Sequence, residues 1–282
     1  TLCLALIFSI ASKVKVASST EYDSELFNSL NNVNNSIDVI LVDLNTEEYL
    51  NYVLKDDANI DVFNVDVIYG TVVSNSTFNF DRKILQKSFS GIQHNILKSY
   101  EFKKDLYSAV PYRFDTGWLY YRKDLCVKYN LPCPPRTYDE LEQYAYTIKK
   151  GEIAAGNVNF DGYIFPADNY EGLTCTALEW IKSYNGGSIV EDDGSVSINN
   201  DNAIEILTRV TNWLGNISSH SVLDYREPLI LERFSSGKVA FARNWFYQAG
   251  QLNKDPIIAG KFGIAPLPGK TNIGVGTIGG WS

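Results

Sequence analysis

Aromatic rings beside polar groups are the features of this sequence that could do chemistry. Trp245 lies in the run RNWFY at 243–247, and Trp281 follows two glycines. Sugars offer C–H faces that stack on aromatic rings and hydroxyl groups that pair with carboxylates, guanidinium groups or amides. Glycine lets a backbone approach a ligand closely. Both patterns would suit a surface that binds a small hydrophilic molecule, but packing in a core is the commoner role of a tryptophan, and the residues alone leave both roles open.

Histidine is scarce, and the common catalytic motifs are absent from the sequence. Only two histidines occur, His94 and His220, which argues against a metal site or a histidine base. The sequence has no His-Glu-x-x-His or Gly-x-Ser-x-Gly motif and no glycine-rich phosphate loop. We expect a protein that is not an enzyme, with no metal site and no cofactor.

Composition and charge limit the class of protein. The chain has 282 residues, 45% hydrophobic and 21% charged, which fits a globular protein of one large or two medium domains. With 33 acidic against 25 basic residues the net charge is −8, and no basic cluster stands out. Nucleic acid is therefore not an expected partner. No run of about 20 apolar residues predicts a membrane span.

The first residues have the pattern of a secretory signal. An apolar run at 2–10 precedes two small residues at which a signal peptidase could cut. We interpret 1–12 as the remnant of a signal peptide, with a buried first strand as the alternative. Three sequons, which would accept glycans in a eukaryotic secretory pathway, lie at Asn34, Asn75 and Asn216. These features favour an extracellular or periplasmic protein, secreted or at the cell surface.

The four cysteines fit an oxidising compartment in more than one way. Cys126 and Cys133 lie seven positions apart, and a turn at Pro132 could bring them within bridging distance. Cys175 is then left over, or it pairs with one of them, and Cys3 would leave with the signal. Free buried thiols are the alternative, so the sequence leaves the pairing open.

Strands and helices alternate over the first 110 residues. Short apolar runs predict strands, and apolar residues three or four apart predict helices. The order β-α-β-α-β indicates an α/β domain with a largely parallel sheet. The predicted strands are 14–17, 37–42 and 60–69, and the predicted helices are 22–30 and 46–54.

A well-signalled helix follows two extended runs, 106–112 and 118–121. Thr137 has the position of its cap, and Glu140, three residues later, completes a capping box. Its apolar stripe consists of Leu141, Tyr144 and Ile148.

Helical patterns dominate the later part of the chain. Further helices are predicted at 173–184 and 203–214, where Trp180 and Trp213 have apolar neighbours and are expected in the core. The mostly helical character of 135–255 contrasts with the strand-rich first 110 residues, and this contrast predicts two lobes.

Ordered blocks of sequence give a family resemblance over roughly 60–282. The longest block, 110–141, reads VPYRFDTGWLYYRKDLCVKYNLPCPPRTYDEL. It resembles the extracellular solute-binding proteins of family 1, the sugar-binding receptors of ABC importers, and within them the trehalose/maltose-binding branch. The other similar blocks are 170–173, 179–180, 185–187, 196–203, 234–245, 263–269 and 279–281.

The resemblance implies a type II periplasmic-binding-protein-like α/β fold, in which two lobes, each a sheet flanked by helices, are linked by a hinge and close on ligand like a clamshell. Lobe 1 is expected at 13–112, completed by 272–282 and by downstream sequence, and lobe 2 at 113–271. The hinge should lie near 111–115, with the return crossing near 270–276.

The resemblance also implies a set of binding residues. Trp245 and Trp281 match the positions of stacking tryptophans, and Asp115 matches a ligand-binding aspartate, with capping of the next turn as its alternative role. Asp66 is the corresponding polar residue at a strand end of the first lobe. Arg113 departs from the family pattern and could favour an acidic ligand. The remaining candidates are Tyr112, Glu171, Arg243 and Gly280.

The function implied is binding of a small hydrophilic solute, with a disaccharide as first candidate, for uptake by a membrane transporter. One alternative is the ectodomain of a family C-type G-protein-coupled receptor, with its own transmembrane region downstream. A remoter one is a thiamine-degrading enzyme on the same fold, which needs a cysteine nucleophile in the cleft. Cys126 is expected in a helix after Tyr121 and Cys175 inside the predicted helix 173–184, and neither falls in the matched blocks that would form the cleft. Seven apolar spans downstream would indicate the receptor.

We predict that 1–282 alone folds poorly. Since roughly another hundred residues follow the last block in the resembling family, the first lobe would expose apolar sheet surface that later residues should cover. Cooperative unfolding of 1–282, compared with that of a version extended by the downstream sequence, checks this. A sharp, reversible transition for 1–282 alone would contradict it.

Overall fold

The structure is a computed structural model. The residues it describes are 13–19, 24–29, 37–42, 44, 46–55, 59–88, 91–92 and 94–282. The predicted signal remnant, 1–12, and the sequon at Asn34 lie outside the described residues.

The chain divides into two compact units. Unit 1 takes its residues from Thr1–Phe114 and Gly279–Ser282, and unit 2 is Asp115–Ile278. The chain therefore passes between the units twice. The lobes expected at 13–112 with 272–282 and at 113–271 are bodies that would move relative to each other on ligand binding. A division into compact units says nothing about such movement, so these lobe boundaries stay a prediction.

A parallel sheet forms the core of unit 1. Strands β1 (Val14–Ser18), β2 (Ile37–Leu41) and β3 (Val62–Phe63) lie in the order β2-β1-β3, and β1 is parallel to both neighbours. Helices α1 (24–29) and α2 (Thr46–Val53) connect them in the predicted β-α-β-α-β order. Tyr49 is buried and donates its hydroxyl to the carbonyl of Ala17 (3.1 Å) and to Asn64 Oδ1 (2.8 Å), which fixes α2 to the sheet.

The strand predicted at 60–69 is much shorter than expected, because Asp66 turns the chain. β3 ends at Phe63, and the Asp66 carboxylate caps a 3₁₀ turn, Val67–Tyr69, by accepting from the amide of Ile68 (3.2 Å). An aspartate that satisfies a local amide competes with continued strand pairing. Asp66 is therefore the cap of a turn after the strand, and a second 3₁₀ turn, Val72–Asn75, follows.

A small antiparallel sheet completes unit 1. Its strands β4 (Phe80–Asp81), β5 (Glu101–Lys103) and β6 (Leu106–Tyr107) have the order β4-β6-β5. Only the first two residues of the extended run predicted at 106–112 belong to a strand of this sheet. Helices α3 (Arg82–Ser88) and α4 (His94–Lys98) lie between β4 and β5 in the chain.

The sheet of unit 2 adds two strands that were not predicted to the helix-rich range 135–255. Strands β8 (Asp161–Ile164) and β9 (Val239–Trp245) lie within that range and are buried at almost every position. Strands covered on both faces lack the alternation of apolar and polar residues that reveals a strand. The sheet order is β10-β7-β9-β8, with β7 (Arg113–Arg122) antiparallel to β9 and to β10 (Phe262–Ala265), and β11 (Ile278–Trp281) paired with β7.

Six helices of the described chain pack around this sheet. They are α5 (Lys123–Lys128), α6 (Tyr138–Ala154), α7 (Glu171–Ser183), α8 (Asp201–Trp213), α9 (Glu227–Ser235) and α10 (Gln248–Leu252). The predicted capping box of α6 is confirmed: Thr137 Oγ1 accepts from the amide of Glu140 (3.2 Å), whose side chain accepts from the amide of Thr137 (3.3 Å). The predicted core positions of Trp180 and Trp213 are also confirmed, with ring centroids 5.8 Å apart.

A disulfide joins Cys126 to Cys133, and Cys175 is free. The structure thus selects one of the pairings that the sequence left open. Asn130, between the bonded cysteines, takes a left-handed conformation (φ 54°) that turns the chain back. Across the described residues, no helix combines the length and apolar character that a bilayer crossing needs.

Reduction should destabilise unit 2. Closing a loop of this size removes chain entropy from the unfolded state, worth about 2–3 kcal/mol of unfolding free energy. We expect a reducing agent to lower the urea midpoint by a corresponding amount. The Cys126→Ser/Cys133→Ser double variant should start at the lower midpoint and ignore the reductant, whereas equal midpoints for oxidised and reduced protein would contradict the prediction.

Candidate functional site

Unit 1 brings together five of the predicted binding residues: Asp66, Tyr112, Arg113, Gly280 and Trp281. Asp66 and Trp281 form an isolated antiparallel bridge. The amide of Tyr112 donates to the carbonyl of Trp281 (3.0 Å). The Arg113 guanidinium lies 5.0 Å from the centroid of the Trp281 ring and 5.9 Å from that of Tyr112. The result is a guanidinium group near two aromatic rings, with the backbone of Asp66 paired to that of Trp281.

Main-chain pairing fixes Trp281 in this cluster. The amides and carbonyls of Val65 and Ser282 exchange two hydrogen bonds of 2.9 Å. At Gly280 a Cβ would lie 3.0 Å from the carbonyl oxygen of Arg113, closer than ordinary contact. The close approach expected at this glycine is therefore made by the chain's own backbone.

A buried tyrosine underlies the same cluster and was not predicted. Burial raises the pKa of Tyr100 to about 12, against a lowering by the Ser282 hydroxyl; the Asp66 carboxylate raises the pKa further, and the Arg113 charge lowers it. The pKa of Tyr100 therefore depends on the charges of both Asp66 and Arg113. No motif in the sequence marks this residue.

In unit 2 the ring of Trp245 is held from two directions. Its indole N–H donates to Glu227 Oε1 (3.0 Å). The Arg243 guanidinium lies 4.1 Å from the ring centroid, within stacking range. Trp245 itself is partly exposed at the end of β9, so its ring has accessible surface, and its predicted contact with a ligand stays a prediction.

Glu227 is the polar centre of this cluster, and sequence reasoning missed it. Its other carboxylate oxygen accepts from the hydroxyl of Tyr170 (2.6 Å), and its carbonyl accepts from the side-chain amides of Asn244 (3.2 Å) and Gln248 (2.9 Å). Burial and the Glu227 carboxylate raise the pKa of Tyr170, which keeps the tyrosine a donor. The next residue, a proline, signals a helix start, but nothing in the sequence places Glu227 beside Trp245.

Asp115 organises the turn that follows Trp245. One carboxylate oxygen accepts from the amides of Thr116 (2.7 Å) and Phe246 (2.9 Å), and the other accepts from the amide of Tyr247 (3.1 Å). Asp115 thus has the capping role considered for it. Besides its neighbour Thr116 it caps the turn at Phe246 and Tyr247, which is remote in sequence. Phe246 and Tyr247 are each 53% exposed, so this turn adds two aromatic rings to the surface near Trp245.

Arg243, another predicted binding residue, does not lie at the surface. Arg243 is fully buried, and its Nε and Nη2 donate to the two oxygens of Glu179 (2.8 and 2.6 Å). Burial alone would lower the pKa of Arg243, but the charge of Glu179 raises it. The contact predicted between Arg243 and a ligand stays a prediction, and the structure gives this residue a supporting position against Trp245.

Glu171 is exposed at the start of α7 and accepts a hydrogen bond from the thiol of Cys175 (2.6 Å). Burial raises the pKa of Cys175, and the Glu171 carboxylate raises it further. Among the described residues, no group of three or more His, Cys, Asp or Glu could hold a metal ion. The two clusters consist of aromatic rings and fixed polar groups, an arrangement suited to reversible binding.

Comparisons with known proteins agree with this chemistry. The family model for bacterial extracellular solute-binding proteins matches residues 19–282. A protein of Deinococcus radiodurans named probable ABC transporter-binding protein is 37% identical over 227 residues, 79% of this chain and 53% of that protein. The chain thus spans about half the length of this relative.

Solved structures give the fold. Maltose-bound MalE3 of T. maritima aligns with TM-score 0.80 and 29% identity, over 95% of this chain and 71% of that one. A solute-binding protein of an ABC transporter from Thermotoga lettingae, bound to α-D-tagatose, aligns with TM-score 0.78 and 21% identity, over 96% of this chain and 71% of that one. The predicted periplasmic-binding-protein-like α/β fold is confirmed.

We predict slow alkylation of Cys175. A raised thiol pKa leaves less thiolate at pH 8 than a free cysteine has, and the thiolate is the nucleophile. Glu171→Gln removes the carboxylate that raises the pKa, so alkylation should accelerate. The rate is read for the Cys175 peptide by mass spectrometry.

Glu232→Gln, an acidic-to-amide change on α9, is the matched control and should leave the rate unchanged. A rate for Cys175 equal to that of free cysteine, or unchanged by Glu171→Gln, would count against the assigned hydrogen bond.

Proposed function

The chain belongs to the family of bacterial extracellular solute-binding proteins, and from this premise we propose that it binds a small carbohydrate reversibly outside the cell. A disaccharide is the first candidate. The bound sugar would then pass to a membrane transporter of the ABC type. We place the protein in the periplasm or at the outer cell surface, as the family's name implies.

The observation that carries this proposal is the supported ring of Trp245. An indole held by Glu227 through its N–H and by Arg243 through its ring cannot turn freely, so stacking a sugar on it loses little conformational entropy. Stacking of this kind is worth roughly 0.5–1.5 kcal/mol beyond the area buried.

The likeness to maltose-bound MalE3 supports the choice of sugar. Maltose offers two pyranose rings with C–H faces and many hydroxyl groups, which suits a surface of aromatic rings and fixed carboxylates. Asp115 and Glu227 each have carboxylate oxygens with remaining acceptor capacity. The second cluster, with Trp281, Arg113 and Asp66, offers the same combination of groups within unit 1.

Two other functions considered from the sequence receive less support. A receptor ectodomain would use the same binding chemistry, and the likeness to an ABC transporter-binding protein favours uptake over signalling. For the thiamine-degrading enzyme, Cys126 is in a disulfide and Cys175 has a raised thiol pKa, so neither is an activated nucleophile.

Maltose should stabilise the folded protein. A ligand that binds only the folded state adds about 2.7 kcal/mol to the unfolding free energy at one hundred times its Kd. We expect the melting temperature to rise with maltose, or with another member of a panel of di- and oligosaccharides, in proportion to the logarithm of concentration. No shift with any sugar at millimolar concentration would refute sugar binding and direct the search, because of Arg113, to amino-acid-like ligands.

Trp245→Ala should weaken sugar binding far more than it weakens folding. Loss of stacking should raise the Kd for maltose about tenfold, while a core tryptophan would instead cost about 3–5 kcal/mol of unfolding free energy. Trp245→Phe keeps a ring but loses the hydrogen bond to Glu227, so its Kd for maltose should lie between that of the unchanged protein and that of Trp245→Ala. Calorimetric titration gives the Kd and thermal unfolding gives the stability.

The matched control is Tyr146→Ala, which removes an exposed ring of α6 in the same unit and should leave the Kd unchanged. A Trp245→Ala variant that melts much earlier yet binds normally would show that Trp245 is a core residue.

A further inference from the structure

Near the Arg243 guanidinium that lies against Trp245, a buried carboxylate accepts four hydrogen bonds. Glu179, on α7, is 1% exposed. Its Oε1 accepts from Arg243 Nη2 (2.6 Å), from the amide of Thr277 (3.0 Å) and from the hydroxyl of Thr277 (2.7 Å), while its Oε2 accepts from Arg243 Nε (2.8 Å). One carboxylate thus joins α7, β9 and the segment just before β11.

The neighbouring strand leaves room for this pair and for nothing more. At Gly117, on β7, a Cβ would lie 2.0 Å from Glu179 Oε1 and 2.7 Å from Arg243 Nη2. Real Cβ atoms do not come so close to other atoms, so any other residue at this position would push the ion pair apart. The absence of a side chain at Gly117 is therefore part of the geometry of the pair.

The orientation of the Arg243 guanidinium depends on Glu179. Its Nη1 is buried and, within the described part of the chain, has no hydrogen-bond partner. Its Nη2 makes a second, longer contact with the Thr277 hydroxyl (3.3 Å). Glu179 and Thr277 thus hold one edge of the planar group, and the Trp245 ring lies 4.1 Å from its centre.

We propose that Glu179 and Thr277 are positioning residues for the carbohydrate site, because through Arg243 they set the orientation of the Trp245 ring. This inference rests on the proposed function. Neither residue needs to touch the sugar. Thr277 lies two positions before Gly279, the first residue of the second segment of unit 1. The Trp245 ring is thus connected, through the side chains of Arg243 and Glu179, to one of the last residues of unit 2.

Stability alone is a poor reason for such a pair. Buried ion pairs can often be replaced by apolar residues of similar volume without loss of stability, because desolvating two charges offsets their attraction. A planar, bidentate pair does fix geometry in a way that apolar packing does not. A role in orientation therefore explains the four hydrogen bonds that converge on Glu179 better than a role in stability does.

Thr277→Val is the sharpest test, because it removes one hydroxyl and keeps the branched shape and the backbone amide that donates to Glu179. We expect the Kd for maltose to rise about three- to tenfold, the equivalent of one hydrogen bond. Thr277→Ser restores the hydroxyl and should bring the Kd back to within about twofold of the original.

Thr208→Val is the matched control. Thr208 is an exposed residue of α8, and its hydroxyl also makes a hydrogen bond, to the carbonyl of Ile204. The Kd is measured by calorimetric titration well below the melting temperature of every variant, and thermal unfolding is measured separately. A Thr277→Val variant that melts earlier but binds maltose normally would overturn the inference.

A second measurement needs no ligand. The near-ultraviolet circular dichroism of Trp245 is obtained as the difference between a protein and its Trp245→Phe counterpart, and it reports the orientation of the ring. Thr277→Val should change this difference spectrum, Glu179→Gln, if it folds, should change it more, and Thr208→Val should not. An unchanged spectrum in Thr277→Val would refute the positioning role.

The two measurements separate the two ideas. If the unchanged protein does not bind maltose or the other sugars, but Thr277→Val changes the circular dichroism of Trp245, the positioning role stands and the proposal of carbohydrate binding fails. If the original protein binds maltose and Thr277→Val changes neither affinity nor spectrum, the sugar stands and the positioning role falls.

Discussion

The ion pair of Arg243 and Glu179 is the constraint on which unit 2 depends. Both side chains are essentially without solvent contact, so each charge must be compensated by the protein. This requirement places α7 against β9, keeps β7 free of a side chain at Gly117, and draws the segment at Thr277 onto the carboxylate. A partly exposed tryptophan then lies on the outer side of a rigid, charged base.

The two tryptophans that the sequence singled out are held by different means. Trp281 is placed by main-chain hydrogen bonds between Val65 and Ser282, in which its ring takes no part. Trp245 is placed by side chains, through Glu227 and Arg243. The position of Trp281 in unit 1 is thus set by the backbone, whereas the position of the Trp245 ring in unit 2 depends on side chains, among them the buried Arg243.

Local patterns predicted local structure well and long-range partners poorly. The parallel β-α-β order, the capping box at Thr137 and the core tryptophans follow from spacing, because each depends on near neighbours in the chain. The buried strands β8 and β9 lack alternation, so their residues do not identify themselves. Asp66 ends a strand that its apolar neighbours predict. Glu227 and Glu179 acquire their roles only from contacts 18 and 64 positions along the chain.

Gly117 has a consequence for how this protein can change over generations. A lineage that acquires a side chain at this position displaces Glu179 and Arg243, and one that loses either charge leaves the other buried without compensation. Each single step is harmful, while a joint replacement by apolar residues keeps the core filled. A change at Glu179 or Arg243 therefore requires a change at its partner, and a side chain at Gly117 requires both charged residues to change.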